Sequence, residues 1–450
     1  MASNRFAGML WLVRATLICP SVFAAGPSYF RDVRPIIQRQ CQGCHQPNLK
    51  SSNLDLTSYE GFQSGGQHGP GATTLLGYIT GEIRPRMPLG QPPLPVDQIE
   101  LVRDWIAAGA KDDTPAEARE DLAVDKPIVY TQPPVINALA FSADGKKLAV
   151  SGNREVLIHS LDSAEPPRRL PGLSDRILSL VFSKDGSTLV AAGGTASLFG
   201  EIQIWDVASG KLKRSLTLTG DTIFGASLSP DASRVAVGCT DNSVRIVDAA
   251  GGKELFKIGN HENWVLGTIF GVDGKRIVSV GRDRAAKLTD ATSGAFLENV
   301  NLLRGELAAI ARHPTKDIVV IGGEDRVPYI YMMDRAQNMK IADDSTLIRK
   351  LERQDGSIAA LAWSADGAHI AVGGASPEVT IYDAETGKRT AACKGHQAGI
   401  YAVAFSPDGQ ILATGGFDGE VRLYRAATGE LAKEFIPVPI TGGENLRSRR

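Results

Sequence analysis

The sequence predicts two architectures in series: a small all-α domain, then an all-β ring of seven repeated units. Three observations predict this. At 450 residues the chain exceeds one ordinary core. A cysteine–cysteine–histidine motif lies in a helix-patterned segment near the front. Behind it, a short turn phrase recurs at near-constant spacing. The composition, 43% hydrophobic and 22% charged, is that of a globular protein, and a net charge of −1 supplies no field for nucleic acid.

Residues 1–25 read as an export signal. Arg5 and Arg14 accompany the short apolar run "ATLICPSVFA", and Val22 and Ala24 give the small-residue pattern of a cleavage site. The run is too short to span a bilayer, so no stable membrane span is expected after cleavage. The expected location is the periplasm or the outer face of the cytoplasmic membrane.

Four cysteines remain beyond the signal. Cys239 and Cys393 lie far apart in apolar, strand-like contexts and read as buried small hydrophobes. Cys41 and Cys44 stand three apart in Cys41-Gln42-Gly43-Cys44-His45. Three chemistries want neighbouring thiols: a dithiol redox centre, a zinc site and haem attachment. C-x-x-C-H is the attachment signature of c-type haem, in which each thiol takes one vinyl group and the histidine supplies the proximal nitrogen. Zinc needs two further ligands, and between residues 26 and 130 the only other Cys or His is His68. A thioredoxin-like pair needs a βαβ setting, which this stretch lacks. For a sixth iron ligand the same stretch offers a single methionine, Met87, between Pro85 and Pro88; His68, in "GGQHGPG", is the alternative.

Helices are expected on both sides of the motif. "YFRDVRPIIQRQ" places Phe30, Val33 and Ile37 at helical spacing. "VDQIELVRDWIAAGA" offers Asp97 as N-cap with Glu100 three later, a capping box. Ile99, Val102 and Ile106 form its apolar stripe, with Trp105 adjoining and Gly109 as C-terminal cap. This arrangement resembles the class I cytochrome c fold. The string from Tyr29 through "CQGCHQPN", "ITGEIRPRMP" and "QIELVRDWIAAGAKDD" is similar to the Planctomycete-type cytochrome c domain over residues 28 to 113. That resemblance implies one covalent haem c on Cys41 and Cys44, with His45 and Met87 as axial ligands, in a domain of residues 27–111.

Residues 112–127, acidic and punctuated by proline, read as a linker. The turn phrase then appears as "FSADG" at 141, "FSKDG" at 182, "LSPDA" at 228, "FGVDG" at 270, "ARHPT" at 311, "WSADG" at 363 and "FSPDG" at 405. A period of roughly 40–45 residues marks a propeller blade. In the last unit Asp408-Gly409 joins the first two strands, and Phe417-Asp418-Gly419-Glu420 leads into the third. The units resemble WD repeats, with "IWD" at 204–206 the clearest signature, and imply a seven-bladed β-propeller over 128–440 with a disordered tail at 441–450. Either "KPIVYTQ" or "ELAKEFIPVPI" is expected to complete the ring. His261 and Asp283 are 22 residues apart, as are His396 and Asp418, which resembles the structural His–Asp contact of WD repeats.

These readings together predict an exported c-type cytochrome carrying one His/Met haem for single-electron transfer. The propeller would be its docking platform for redox partner proteins or another protein partner. The alternatives are an oxidoreductase whose propeller houses a second redox cofactor, or a haem-bearing scaffold or sensor. No catalytic residue is singled out, and a carrier is favoured over an enzyme.

Overall fold

The computed structural model describes residues 26–46, 49, 51–115, 128–163, 165–333 and 343–441. The expected export signal, residues 116–127 of the expected linker and residues 442–450 of the expected tail lie outside the described residues.

Seven four-stranded antiparallel sheets form the blades, each built from four strands consecutive in the chain. The first blade runs through Leu139–Phe141, Lys147–Ser151, Glu155–Ser160 and Arg168–Pro171. The others span 176–219, 223–258, 265–299, 307–350, 358–393 and 400–435. Strands inside a blade are covered on both faces by neighbouring blades, so their residues are apolar without alternation. Leu148, Ala149 and Val150 are fully buried in succession, as are Val235, Ala236 and Val237.

The recurring phrase has a specific local job. Ser406 Oγ donates to Asp408 Oδ1 over 2.5 Å and accepts from the Ile411 amide over 2.9 Å. Asp408 Oδ1 also accepts from the Gln410 amide over 3.0 Å, while Gly409 takes the left-handed backbone that the turn requires (φ 71°). The same serine–aspartate contact recurs at Ser142–Asp144, Ser183–Asp185, Ser229–Asp231 and Ser364–Asp366. In the fifth blade, where the phrase reads "ARHPT", His313 Nδ1 accepts from the Thr315 and Lys316 amides instead.

Both stretches proposed to complete the ring contribute, in different ways. The outer strand of the seventh blade is Leu431–Phe435, so the C-terminal stretch finishes that blade. Tyr130 then forms a parallel bridge with Ile440, and its hydroxyl donates to the buried Glu155 carboxylate over 2.8 Å. Ile136, Leu148, Val150, Ala413 and Val421 pack the seam between the last and first blades.

Ahead of the ring lies a small helical unit. It contains a π-helical turn (Tyr29–Val33), α1 (Arg34–Gln40), α2 (Tyr59–Ser64), α3 (Gly71–Thr80) and α4 (Val96–Ala107). The sequence pattern of the first helix requires correction, because Tyr29 is in the core and Phe30 lies beneath the Arg34 guanidinium. The π-helical turn rotates the first residues relative to regular helical spacing. The predicted capping box is also absent. Helix α4 starts two residues earlier, with Pro95 as N-cap, placing Asp97 within its first turn, and Glu100 pairs with Arg103 instead. Trp105 is 1% exposed, stacks on Tyr29 at 5.3 Å and donates to the Lys111 carbonyl over 3.0 Å.

Candidate functional site

Two regions combine exposed or cavity-facing chemistry with a rigid frame. The first is a cavity of about 370 Å³ between the helical unit and the outer strand of the second blade, Leu212–Thr219. Cys41, Cys44, His45 and Met87 all line it, and so does His68. Leu54, Leu56, Phe62, Leu75 and Ile79 make its walls apolar, while Arg39 and Arg214 add guanidinium groups from the two sides. The sequence did not single out either arginine, since nothing in it shows that the helical unit seats on the second blade.

The backbone and its hydrogen bonds fix this arrangement. Cys41 caps α1, and the Cys44 and His45 amides both donate to the Cys41 carbonyl, over 3.2 and 3.1 Å. His45 Nδ1 lies 2.9 Å from the Ser51 carbonyl oxygen. A carbonyl only accepts, so Nδ1 carries the proton and Nε2 holds the lone pair. Burial lowers the His45 pKa and so favours the neutral ring, while the Ser51 contact works in the opposite direction. Burial pushes the Cys41 thiol up to about 12, with Cys44 adding to the effect. Met87 is anchored through its amide to the Tyr78 carbonyl at 3.0 Å. On the propeller side Gln91 Nε2 donates to the Gly252 carbonyl over 3.2 Å.

The second region is the face of the ring where first strands enter and second strands leave. Trp264 precedes the first strand of the fourth blade, and Arg282 follows its second strand, donating its amide to the Trp264 carbonyl over 2.9 Å. The Arg282 guanidinium lies 4.2 Å from the Trp264 ring centroid. Phe224, from the third blade, stacks on the same indole at 5.6 Å. Phe417 occupies in the seventh blade the place Arg282 holds in the fourth, and is 61% exposed; nearby Tyr401 is 40% exposed. Sequence reasoning missed this cluster. The available signal was a large aromatic at turn positions where other blades carry Glu324, Ala375 or Thr240.

Beneath this face lie the paired histidines. His261 Nδ1 is 2.9 Å from Asp283 and its Nε2 2.8 Å from Ser279 Oγ. His396 repeats the pattern with Asp418 at 2.8 Å and Thr414 at 2.7 Å. Both imidazoles are enclosed and fully occupied, which makes these contacts structural. Among the described residues, no group of three or more His, Cys, Asp or Glu side chains is placed to hold a metal ion. No helix among them is long and apolar enough to cross a membrane.

Residues 210–248 and 387–425 match the WD domain, G-beta repeat family (WD40). Residues 310–401 match the anaphase-promoting complex subunit 4 WD40 domain. Transcription factor unc-37 of Caenorhabditis elegans is 28% identical over 219 residues, covering 48% of this chain and 33% of that protein. Autophagy-related protein 16 of Arabidopsis thaliana is 23% identical over 238 residues, covering 52% of this chain and 44% of its own length. Human WD repeat and SOCS box-containing protein 1 is 32% identical over 91 residues, or 20% of this chain and 22% of the relative. The chain thus spans between about a fifth and under half of the length of these relatives.

The chain carries WD40 repeats folded into a seven-bladed propeller. The expected function as an exported haem electron carrier is overturned. The relatives are WD-repeat proteins named for transcription, autophagy and a SOCS box, and the family matches lie in the ring. The two alternatives, a redox enzyme fed by the haem and a haem-bearing scaffold or sensor, fall with it. The matched residues do not extend to the helical unit, and a Planctomycete-type cytochrome domain is not among the families found.

Proposed function

We propose that this chain is a protein-docking propeller whose partner seats on the face carrying Phe224, Trp264, Arg282 and Phe417. One observation carries the reading: an indole in contact with both an aromatic ring and a guanidinium at one end of the fourth blade. Trp, Tyr and Arg are the residue types that dominate binding energy at protein interfaces, because they bury large rigid surfaces with a polar edge. The closed ring holds these anchors on strand ends rather than on long loops, so little ordering entropy opposes binding. For residues 27–111 the proposal is one of fold alone. Four short helices around a cavity shared by Cys41, Cys44, His45 and Met87 support a cytochrome-c-like arrangement.

Site-specific photocrosslinking tests the docking face. A benzophenone side chain at position 417 should capture one discrete partner, whereas the same group at position 348, on an outer strand, should not. Equal capture at both positions would remove the assignment of the face.

A further inference from the structure

The segment after the seventh blade's outer strand lies against the first blade as a strap. Val438 packs with Tyr130 and Leu157, and Ile440 bridges Tyr130. The Thr441 amide donates to the Tyr130 carbonyl over 2.9 Å.

His159 stands in the seam that this strap closes. It pairs across the first blade with Leu148, whose side chain faces the seventh blade, and residues directly opposite share a face. Its ring meets Phe435 of the seventh blade's outer strand at 5.0 Å. The strap's Pro437 makes a backbone hydrogen bond to the imidazole. Proline has no N–H, so its carbonyl accepts and the ring donates. Nε2 is buried without a partner, which leaves Nδ1 as the donor. A neutral ring tolerates this, but protonation would make Nε2 a charged donor with nothing to accept its hydrogen.

The charges around the ring give no relief. Unlike His261 and His396, His159 has no carboxylate partner among the described residues. Lys433 sits on the facing side of the outer strand, 5.6 Å from the Phe435 ring centroid, and repels added positive charge. Glu434 lies on that strand's other face and pairs with Arg422. Arg425 and Glu430, at the foot of the seventh blade, pair with each other at 3.7 Å. Lys147 and Arg168 alternate onto the first blade's other face, and Asp162 is exposed beyond the strand end. Residues 436–441 carry no ionisable side chain.

We propose that His159 is an acid-operated latch, whose protonation releases the strap of residues 436–441 and opens the seam between the first and seventh blades. Release uncovers Tyr130 and Leu157, on which Val438 packs. Burial lowers the His159 pKa to about 4, the Pro437 contact working against it and Lys433 with it. The closed strap therefore binds fewer protons than the open one. Its stability is complete above about pH 6.5 and is lost as pH falls towards about 4.

Amide hydrogen exchange of the full chain at pH 7 and pH 5, corrected for intrinsic rates, tests this. Protection of the Thr441 amide should fall about twentyfold, the ratio set by pKa values of about 4 closed and about 6.5 open. Val278, buried in the fourth blade, should keep its protection. His159→Phe retains an apolar ring against Phe435 and should hold Thr441 protection within about twofold over the same range. Without any substitution, the His159 ring proton resonance of the folded chain should titrate with a midpoint near 4. The proposal is overturned by a change below about threefold at Thr441 in the wild type, or by an equal fall in His159→Phe. A loss spread evenly over all seven blades, or a His159 midpoint at or above about 6, overturns it as well.

Discussion

Asp283 and Asp418 perform the same task in two blades, and the two histidine pairs make their consequences measurable. Burial alone would raise the Asp283 pKa, but hydrogen bonding and attraction from His261, with Lys287 nearby, hold it at about 2. A carboxylate depressed in the folded state contributes stability that is fully present above its unfolded pKa and lost as pH falls through the folded value. For Asp283 that window runs from about pH 4 down to about pH 2, and the contribution is on the order of 2 kcal/mol. Urea unfolding of Asp283→Asn should show this increment missing at pH 7 and the difference from wild type shrinking below pH 4. Asp418 has a further neighbour, Arg422, which is 1% exposed and bonded to it at 2.9 Å. Glu420 and Glu434 also pair with Arg422, so removing Asp418 leaves the guanidinium partly compensated and the cost below the about 3–5 kcal/mol of an isolated buried pair. Asp418→Ala should therefore lower the unfolding free energy by about 2 kcal/mol, through the lost His396 and Arg422 contacts; a loss below about 0.5 kcal/mol would show that Glu420 and Glu434 hold Arg422 without it. The histidine–aspartate pairs were legible from equal 22-residue offsets. Arg422 was not, since a strand arginine reads as a surface residue until the blades are assembled.

Elements explain where sequence patterns held and where they slipped. The turn phrase was readable because serine, aspartate and glycine each have one local role within five residues. No tertiary contact is needed to specify it. The start of α4 was misplaced because Asp97 and Glu100 satisfy a capping box on paper. Pro95 already supplies the extended residue that admits the helix, at ψ 145°. Within this helix Trp105 packs against Tyr29 and Phe62 at ring distances of 5.3 and 5.2 Å. Replacing a buried tryptophan with alanine removes both transfer energy and packing, at about 3–5 kcal/mol. Trp105→Ala should therefore release amide protection across Val96–Ala107 while leaving the strands of the fourth blade protected. Gly43 supplies a sharper test of the contact between unit and ring. Gly43→Ala places a methyl group against the Ser215 carbonyl, and exchange in Leu212–Thr219 should rise with no change in blades four to six.

At the scale of the molecule, the repeat count was legible because one phrase recurs seven times with a blade-length period. Ring closure was not, because Tyr130 and Ile440 are 310 residues apart and their pairing leaves no local signature. Removing residues 436 to 450 takes away that bridge and the Val438 packing on Leu157. This truncation should speed proteolysis at the seam of the first and seventh blades before any other site. Function was misread for a physical reason too. A five-residue thiol–histidine motif fixes which side chains share a cavity, but most of the chain's surface and the matched families belong to the ring. The central claim is that the ring binds a protein through Trp264 and its neighbours. Titration calorimetry of the crosslinked partner, once identified, against wild type and Trp264→Ala tests it most directly. A loss of at least about tenfold in affinity, or about 1.4 kcal/mol, is predicted. Equal affinity for the two proteins would contradict it.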